Sequence, residues 1–308
     1  MRSEWSVTPR DGERFLAERF GHVSDVVQLR RGLWSSAYSF RVGADRLVVR
    51  FGNIREDFDK DAFVGVRAPA DMPVPRILEI GEALGAWYAV SRRFPGRHLD
   101  ALDADAVRRR LPSLLDTLDG VRRIDLSDSS GYGLWTDGAI GAKPSWRAET
   151  LEVDRTAPEW GQATAPASLA ARAFDIGMPR VRELVEHCPD DRHLVHSDLL
   201  HWNVLVENDR VTGMLDWGSS LIGDFVYDIA WLMFWQPWFP QWSGIDFART
   251  ASEHYARVGV EVPAFEERLR CYELRIGLGD LNWYLSRHDD VNLARVAERI
   301  EELAAASS

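Results

Sequence analysis

Three side chains have the types and spacing for metal-assisted phosphoryl transfer. Asp198 and Asn203 stand with four residues between them in His196-Ser197-Asp198-Leu199-Leu200-His201-Trp202-Asn203, and Asp216 follows in Leu215-Asp216-Trp217-Gly218. A phosphoryl group in flight is strongly anionic, so a divalent ion must bridge its oxygens, and Mg²⁺ takes hard oxygen ligands. One further carboxylate must stay clear of the metal and accept the proton of the attacking hydroxyl. Asp198 as the base with Asn203 and Asp216 as Mg²⁺ ligands is one assignment that fits these requirements. Asp and Asn favour turns in any case, so the first pair alone would carry little. The second acidic motif, thirteen residues beyond Asn203, gives it weight.

Such residues need elements to position them. Residues 11–20 have helical spacing, 26–30, 37–42 and 46–51 read as short strands, 56–67 as a helix, and 76–82 and 86–93 as two more strands. That is a five-stranded antiparallel region with one helix after its third strand. Phe94-Pro95-Gly96 breaks it, since proline fixes its own φ and glycine frees the next position. Helical pattern then dominates, with short strands expected at 193–196, 203–207 and 210–217 and a long insertion of little regular structure at 127–161. The expected fold is therefore α+β, with a nucleotide-binding part over residues 1–95, a hinge at about 91–96, and a larger, mainly helical part over 97–308.

The spacing of Asp198, Asn203 and Asp216 is that of the protein-kinase catalytic loop and its second metal ligand. A protein-kinase-like two-lobe fold would place a phosphate loop between the first two strands. Here that loop is Arg31-Gly32-Leu33-Trp34-Ser35-Ser36-Ala37, with one glycine and two hydroxyls that can meet phosphate oxygens. The third strand should carry a cation for the phosphates. The only lysines are Lys60 and Lys143, and neither lies there; Arg50 does. Arginine pairs phosphate bidentately, so the exchange is chemically reasonable. Asp61 is the expected anionic partner of Arg50, with Glu56 and Asp57 as rivals.

Composition excludes several classes. The chain is 45% hydrophobic and 28% charged, which supports a sizeable core and argues against disorder. The N-terminal residues have no apolar signal region and no long apolar run is present, so a cytoplasmic chain without a membrane partner is expected. Cys188 and Cys271 cannot form a disulfide framework. Net charge is −11, unlike a nucleic-acid binder, which needs a basic face. The acid is uneven: residues 1–95 hold 15 Lys+Arg against 13 Asp+Glu, and residues 96–308 hold 22 against 35. Either the acidic part attracts a cation, or the charge keeps exposed helices soluble.

At these residues the chain resembles the aminoglycoside phosphotransferases and, among them, the hygromycin B phosphotransferases. The stretches that carry the likeness include AYSFRVG, PVPRILEIGE, SRRFPG, CPDDRHLVHSDLLHWNVL, LDWG with GDFVYDIA, and FWQPW, spread from about residue 11 to about residue 290. The resemblance implies ATP (or GTP) with Mg²⁺ as cofactors and a small polycationic substrate, bound by a monomer. It also implies that the backbone of Arg92, Arg93 and Phe94 meets the purine, and that Ser35 and Ser36 lie over the phosphates. Trp235 and Trp238 would wall the sugar site, where rings and ammonium groups stack on aromatic faces. His201 and Trp202 would lie beside the acceptor. Glu273 is a candidate for a substrate ammonium, as are Asp280, Asp289 and Asp290, and spacing does not choose among them. Asp224 and Asp228 are expected to fix the loop after the metal ligand.

Two other functions stay open at this level. The bulky Leu199-Leu200-His201-Trp202 segment fits a kinase of the same fold for another small molecule. The absence of a strand-3 lysine and of a glycine-rich loop fits a non-catalytic nucleotide-binding module.

Overall fold

Alternation of apolar and polar side chains from Ser35 to Gly52 builds the first sheet. The computed structural model describes residues 7–29, 32, 35–136, 138–200 and 202–306. Two compact units divide the chain: Met1–Leu99 with Trp202–Ser219, and Asp100–His201 with Ser220–Ser308. Segment 202–219, expected in the second part, clusters with the first.

In the first unit, α1 (Pro9–Phe20) precedes β1 (Ser24–Gln28), β2 (Ser35–Val42), β3 (Asp45–Gly52), α2 (Arg55–Arg67), β4 (Ile77–Ala83) and β5 (Ala86–Arg92). The strands form an antiparallel sheet in the order β1-β2-β3-β5-β4. Thr8 caps α1 by accepting from the Asp11 amide at 3.2 Å. The inner face of α1 lays Phe15 and Leu16 on Tyr38, Phe40, Phe51 and Tyr88. Phe15 meets Phe51 and Tyr88 edge-on at 5.2 and 4.8 Å, the favoured aromatic geometry. Burying this face removes several large side chains from water, each worth about 1.5–3 kcal/mol.

A second sheet of this unit explains why segment 202–219 belongs to it. Strands β10 (Val204–Glu207) and β11 (Arg210–Met214) form a hairpin, and β10 also pairs with β6 (Arg97–His98). Asn208 and Asp209 turn the hairpin with φ of 50° and 58°, the two left-handed positions of a type I′ turn. Strand β11 ends at Met214, three residues before the expected end, and the Leu215 amide continues to the Asn203 carbonyl at 2.8 Å.

The second unit holds α3 (Ala104–Arg122), β7 (Tyr132–Thr136), β8 (Ile140–Lys143), α4 (Trp146–Leu151), α5 (Ala165–Leu184), β9 (His193–Val195), β12 (Leu221–Gly223), α6 (Tyr227–Trp235), α7 (Phe247–Val258), α8 (Phe265–Ser286) and α9 (Asp290–Ala305). Region 127–161 is thus more regular than its mixed pattern suggested. The reason is non-local: β12, far along the chain, inserts between β7 and β9 to give the order β8-β7-β12-β9. Trp135 and Trp146, 2% and 1% exposed, anchor the region in the core.

Gly223, at the end of β12, lies against Trp146 so closely that a Cβ there would come within 2.2 Å of the indole. Gly223→Ala is expected to cost about 1–3 kcal/mol by overpacking. A lower urea midpoint with unchanged slope would register it.

Candidate active site

In the first unit the strand-3 cation is held from two sides. Arg50 lies opposite the small residues Ala37 and Ala89 in the sheet, and its guanidinium sits 4.9 Å from the Phe58 ring centroid. One amino group pairs with Asp61 in a short contact, and the other is 3.0 Å from Asp216. The second oxygen of Asp61 accepts from the Trp217 amide at 2.9 Å. Asp61 therefore ties Arg50 to the turn that carries Asp216, and of the three acids considered it is the one that pairs with Arg50. Burial lowers the Arg50 pKa, but Asp216, Asp61 and Asp57 more than offset this and raise it. Arg50 stays a cation throughout the physiological range.

Asp216 has a left-handed φ of 63° and a 44% exposed side chain. The turn behind it is fastened by Lys60, 3% exposed, whose Nζ donates to the Gly218 carbonyl at 2.9 Å. Sequence reasoning passed over Lys60 because it is not on the third strand. Its i,i+4 relation to Glu56, 3.4 Å away, was the available signal. Asp57 packs against Gly218, and burial, then the Asp216 charge, push its carboxyl up to about 6. Asn203 is 6% exposed at the start of the same hairpin.

The phosphate loop is described only in part. Arg31, Leu33 and Trp34 lie outside the described residues, as does His201. The Gly32 amide donates to the Ser35 carbonyl at 3.1 Å, closing the turn into β2. Ser36 pairs with Phe51 and is 1% exposed. Strand alternation turns its side chain to the face of Tyr38 and Phe40, away from that of Arg50. The expected Ser36 side-chain contact with phosphate is corrected on this ground, while Ser35 shares the face of Ala37 and Arg50. In the segment expected to be a hinge, the Arg93 amide donates to the Arg46 carbonyl at 2.9 Å and Arg92 is exposed beside Asp45. Phe94 is half-buried next to Gly213. Trp202, with φ of 78°, stands edge-on to His98 at 5.2 Å.

In the second unit, β9 delivers the candidate base. The buried Asp228 on α6 accepts the backbone N–H groups of His196 at 3.0 Å and Ser197 at 2.8 Å, and Ser197 has φ of 59°. Burial raises the Asp228 pKa against the pull of His196 and those two amides. His196, 0% exposed, accepts the Asp198 amide on Nδ1 at 3.3 Å, which assigns its proton to Nε2. Asp198 is left half-buried on a turn clamped on both sides. Leu199 and Leu200 are fully buried, so they are core residues. Asp228 therefore clamps the turn before Asp198, a role different from the one expected of it.

Asp224 is fully buried and takes two bonds from Arg268, at 2.9 and 2.5 Å, and one from the Tyr272 hydroxyl at 2.5 Å. Tyr272 also accepts from Trp146 Nε1 at 2.9 Å. This cluster fixes segment 221–228, which contains both the strand partner of β9 and Asp228.

Two substrate expectations change, those for Trp235 and Glu273. Trp235 is 4% exposed and packed among Trp231, Phe234 and Trp238. Trp238 is half-buried, with Arg295 4.4 Å from its ring centroid, so a cation already covers one face. Glu273 is 4% exposed and paired with Arg299 at 2.8 Å, which leaves it inside the helical core. Burial pushes its carboxyl up to about 7, against the opposing pull of Arg299. A raised folded-state pKa favours the neutral acid, so its contribution is complete below about 4.3 and lost as pH rises through about 7. Glu273→Gln is expected to flatten the fall of Tm between pH 5 and pH 8, removing a pH-dependent contribution of about 3 kcal/mol. An unchanged slope in thermal melts across that range would contradict it.

The sequence and the folded chain both have known relatives. The model of the phosphotransferase enzyme family matches residues 25–266. The hygromycin-B 4-O-kinase of Escherichia coli is 34% identical over 281 residues, 89% of this chain and 79% of that protein. The crystal structure of aminoglycoside phosphotransferase APH(4)-Ia matches with a TM-score of 0.82 and 30% identity, covering 97% of this chain and 100% of that one. A thermostable mutant of the same enzyme, in ternary complex with AMP-PNP and hygromycin B, matches with a TM-score of 0.81 and 32% identity over 95% and 97%. The chain belongs to the phosphotransferase enzyme family, with the kinase-like fold of the aminoglycoside phosphotransferases, and transfers phosphate to a hydroxyl group.

Proposed function

We propose that the chain transfers the terminal phosphoryl group of ATP to a hydroxyl of an aminoglycoside antibiotic, with hygromycin B as the first candidate. The observation that carries this is the cluster of the first unit: Arg50 lies 3.0 Å from Asp216, and the Asn203 carbonyl bonds the residue before Asp216. A cation and two oxygen-donor side chains for a triphosphate thus belong to one small group. The substrate class follows from the relative named a hygromycin-B 4-O-kinase and from the net acid of residues 96–308.

The donor set fits Mg²⁺. Among the described residues no group of three or more His, Cys, Asp and Glu side chains could hold an ion alone. Mg²⁺ in phosphoryl transfer is commonly held by one or two carboxylates together with the substrate phosphates, and Asn203 and Asp216 are hard donors of that kind. When bound, the ion would neutralise charge on the phosphate oxygens. The chain's own residues do the rest. Arg50 neutralises the phosphate chain, and Asp61 keeps its guanidinium aimed. Ser35 and the backbone near Gly32 cover the phosphates, and the hinge backbone at Arg92 to Phe94 receives the purine. Asp198 takes the hydroxyl proton as attack proceeds, held by the Asp228 and His196 bonds to its turn. Most of the rate comes from positioning and electrostatics, because a loose transition state asks little of the base.

The bulky 199–202 segment favours another acceptor less than its sequence suggested, since Leu199 and Leu200 are inside the core. A coupled ADP-release assay tests the proposal, with hygromycin B, other aminoglycosides and neutral sugars or amino alcohols as acceptors and product mapping by NMR. Turnover of hygromycin B that EDTA abolishes is expected. Turnover of a neutral metabolite and of no aminocyclitol would replace the antibiotic reading.

A further inference from the structure

Trp202 is strained, and it stands directly before Asn203. Its φ of 78° is a conformation that bulky residues rarely adopt. Such a residue persists only where the surrounding structure over-determines it, and such residues gather at functional sites. Asn203 itself is 6% exposed, and its carbonyl accepts from the Leu215 amide at 2.8 Å. That bond fixes Asn203 from its carbonyl side. Its amide side is set by Trp202.

What holds Trp202 comes from β6. His98 lies there opposite Leu205 of β10, the strand that Asn203 leads into. The His98 ring meets the Trp202 ring edge-on, with centroids 5.2 Å apart and planes at 84°, a favoured aromatic arrangement. His98 Nδ1 is buried and has no hydrogen-bond partner among the described residues, so packing holds the ring on that side. Strand β6 is fixed in turn. The neighbouring Leu99 is 1% exposed, and a Cβ on Gly96 would come within 2.9 Å of the Val206 carbonyl. Thr212 Oγ1, on β11, donates to the Pro95 carbonyl at 2.6 Å. The sheet of β11, β10 and β6 thus brings one ring to the entrance of the Asn203 strand.

We infer that His98 is a positioning residue: by holding the Trp202 ring edge-on, it keeps residue 202 left-handed and so orients the Asn203 side chain for Mg²⁺. The inference rests on the reading of Asn203 as a Mg²⁺ ligand. His98 acts through Trp202 and touches neither metal nor substrate. Because β6 follows directly on Phe94-Pro95-Gly96, the same ring also ties the segment expected to meet the purine to the candidate metal ligand. Shape, and not a ring nitrogen, is what the role requires, so another flat ring at position 98 can serve.

The test titrates ATP into the full chain, once with excess Mg²⁺ and once with EDTA, and sets thermal melts beside the titrations. His98→Ala is expected to bind metal-free ATP like the parent. Its gain in ATP affinity on adding Mg²⁺ should shrink by about 2–10-fold, the range that one aromatic pair supplies. His98→Phe keeps a flat ring and should restore the gain. His98→Leu fills the space without a ring and should behave like His98→Ala, which keeps the comparison open if the alanine variant does not fold. Asn203→Ala should lose at least as much of the Mg²⁺ effect, and adding His98→Ala to it should change little, since residues that act through one another are not additive. A purely structural role would instead lower Tm and both ATP affinities together. That result, a His98→Phe variant no better than His98→Ala, or additive losses in the double variant would overturn the inference and leave Asn203 as a ligand. An Asn203→Ala variant with an unchanged Mg²⁺ effect would remove the ligand and the inference together.

Discussion

Asp198→Asn is expected to lower kcat by about 10²–10⁴-fold, the span general-base catalysis ordinarily supplies. Asparagine has nearly the same shape and keeps the backbone bond to His196, since that bond comes from the residue 198 amide and not its side chain. What disappears is the capacity to accept a proton. Nucleotide affinity should stay near that of the parent, because Arg50, Asp61 and Asp216 are untouched. Steady-state turnover beside a direct nucleotide-binding titration separates the two effects. A variant with near-normal kcat would remove Asp198 from the role of base. A variant that loses nucleotide affinity in step with turnover would point instead to a collapsed turn. Asp228 supplies the contrast, since its carboxylate holds the His196 and Ser197 amides. Loss of that clamp should impair folding and turnover together.

The largest stability effect is expected at Asp224. Asp224→Ala strips Arg268, itself 2% exposed, of the acceptor of both its short bonds. Breaking a buried pair from one side typically costs 3–5 kcal/mol, because a charge is left uncompensated. Against a typical total of about 5–15 kcal/mol, that is a large share of the stability of the whole chain. A guanidinium keeps its proton in proteins even when its partner is removed, so the arginine does not escape the penalty by becoming neutral. Asp224→Leu combined with Arg268→Met should recover much of the loss, since an apolar pair of similar volume needs no partner. Urea melts of the single and double variants decide the matter. A double variant no better than Asp224→Ala would mean that the bonds Asp224 accepts from Tyr272 and from the Val226 amide, at 3.1 Å, matter more than the ion pair.

Much of the local architecture was legible in advance because it depends on local periodicity. The β1 to β5 order of elements, α2 after the third strand and the break at Phe94-Pro95-Gly96 follow from alternation, helical spacing and turn residues. Strand β12 was not legible. It is three residues long and pairs with strands distant in sequence on both sides, so no periodic signal of its own marks it. The hairpin of β7 and β8 is local, but its register shifts between Tyr132 and Trp135, which interrupts the alternation that would mark it.

Sequence alone set the candidates for the chemistry: the types and order of Asp198, Asn203 and Asp216, and the arginine on the third strand with Glu56, Asp57 or Asp61 to answer it. Covalent spacing and side-chain chemistry suffice for that. Only tertiary structure decided which polar groups face inward or are already engaged. Ser36 turns to the core side of β2, Glu273 is paired with Arg299 inside the helices, and Arg295 covers a face of Trp238. Burial and partner choice are set by segments far apart in the chain, so the same residue types read alike in sequence whether they reach a ligand or a neighbouring helix.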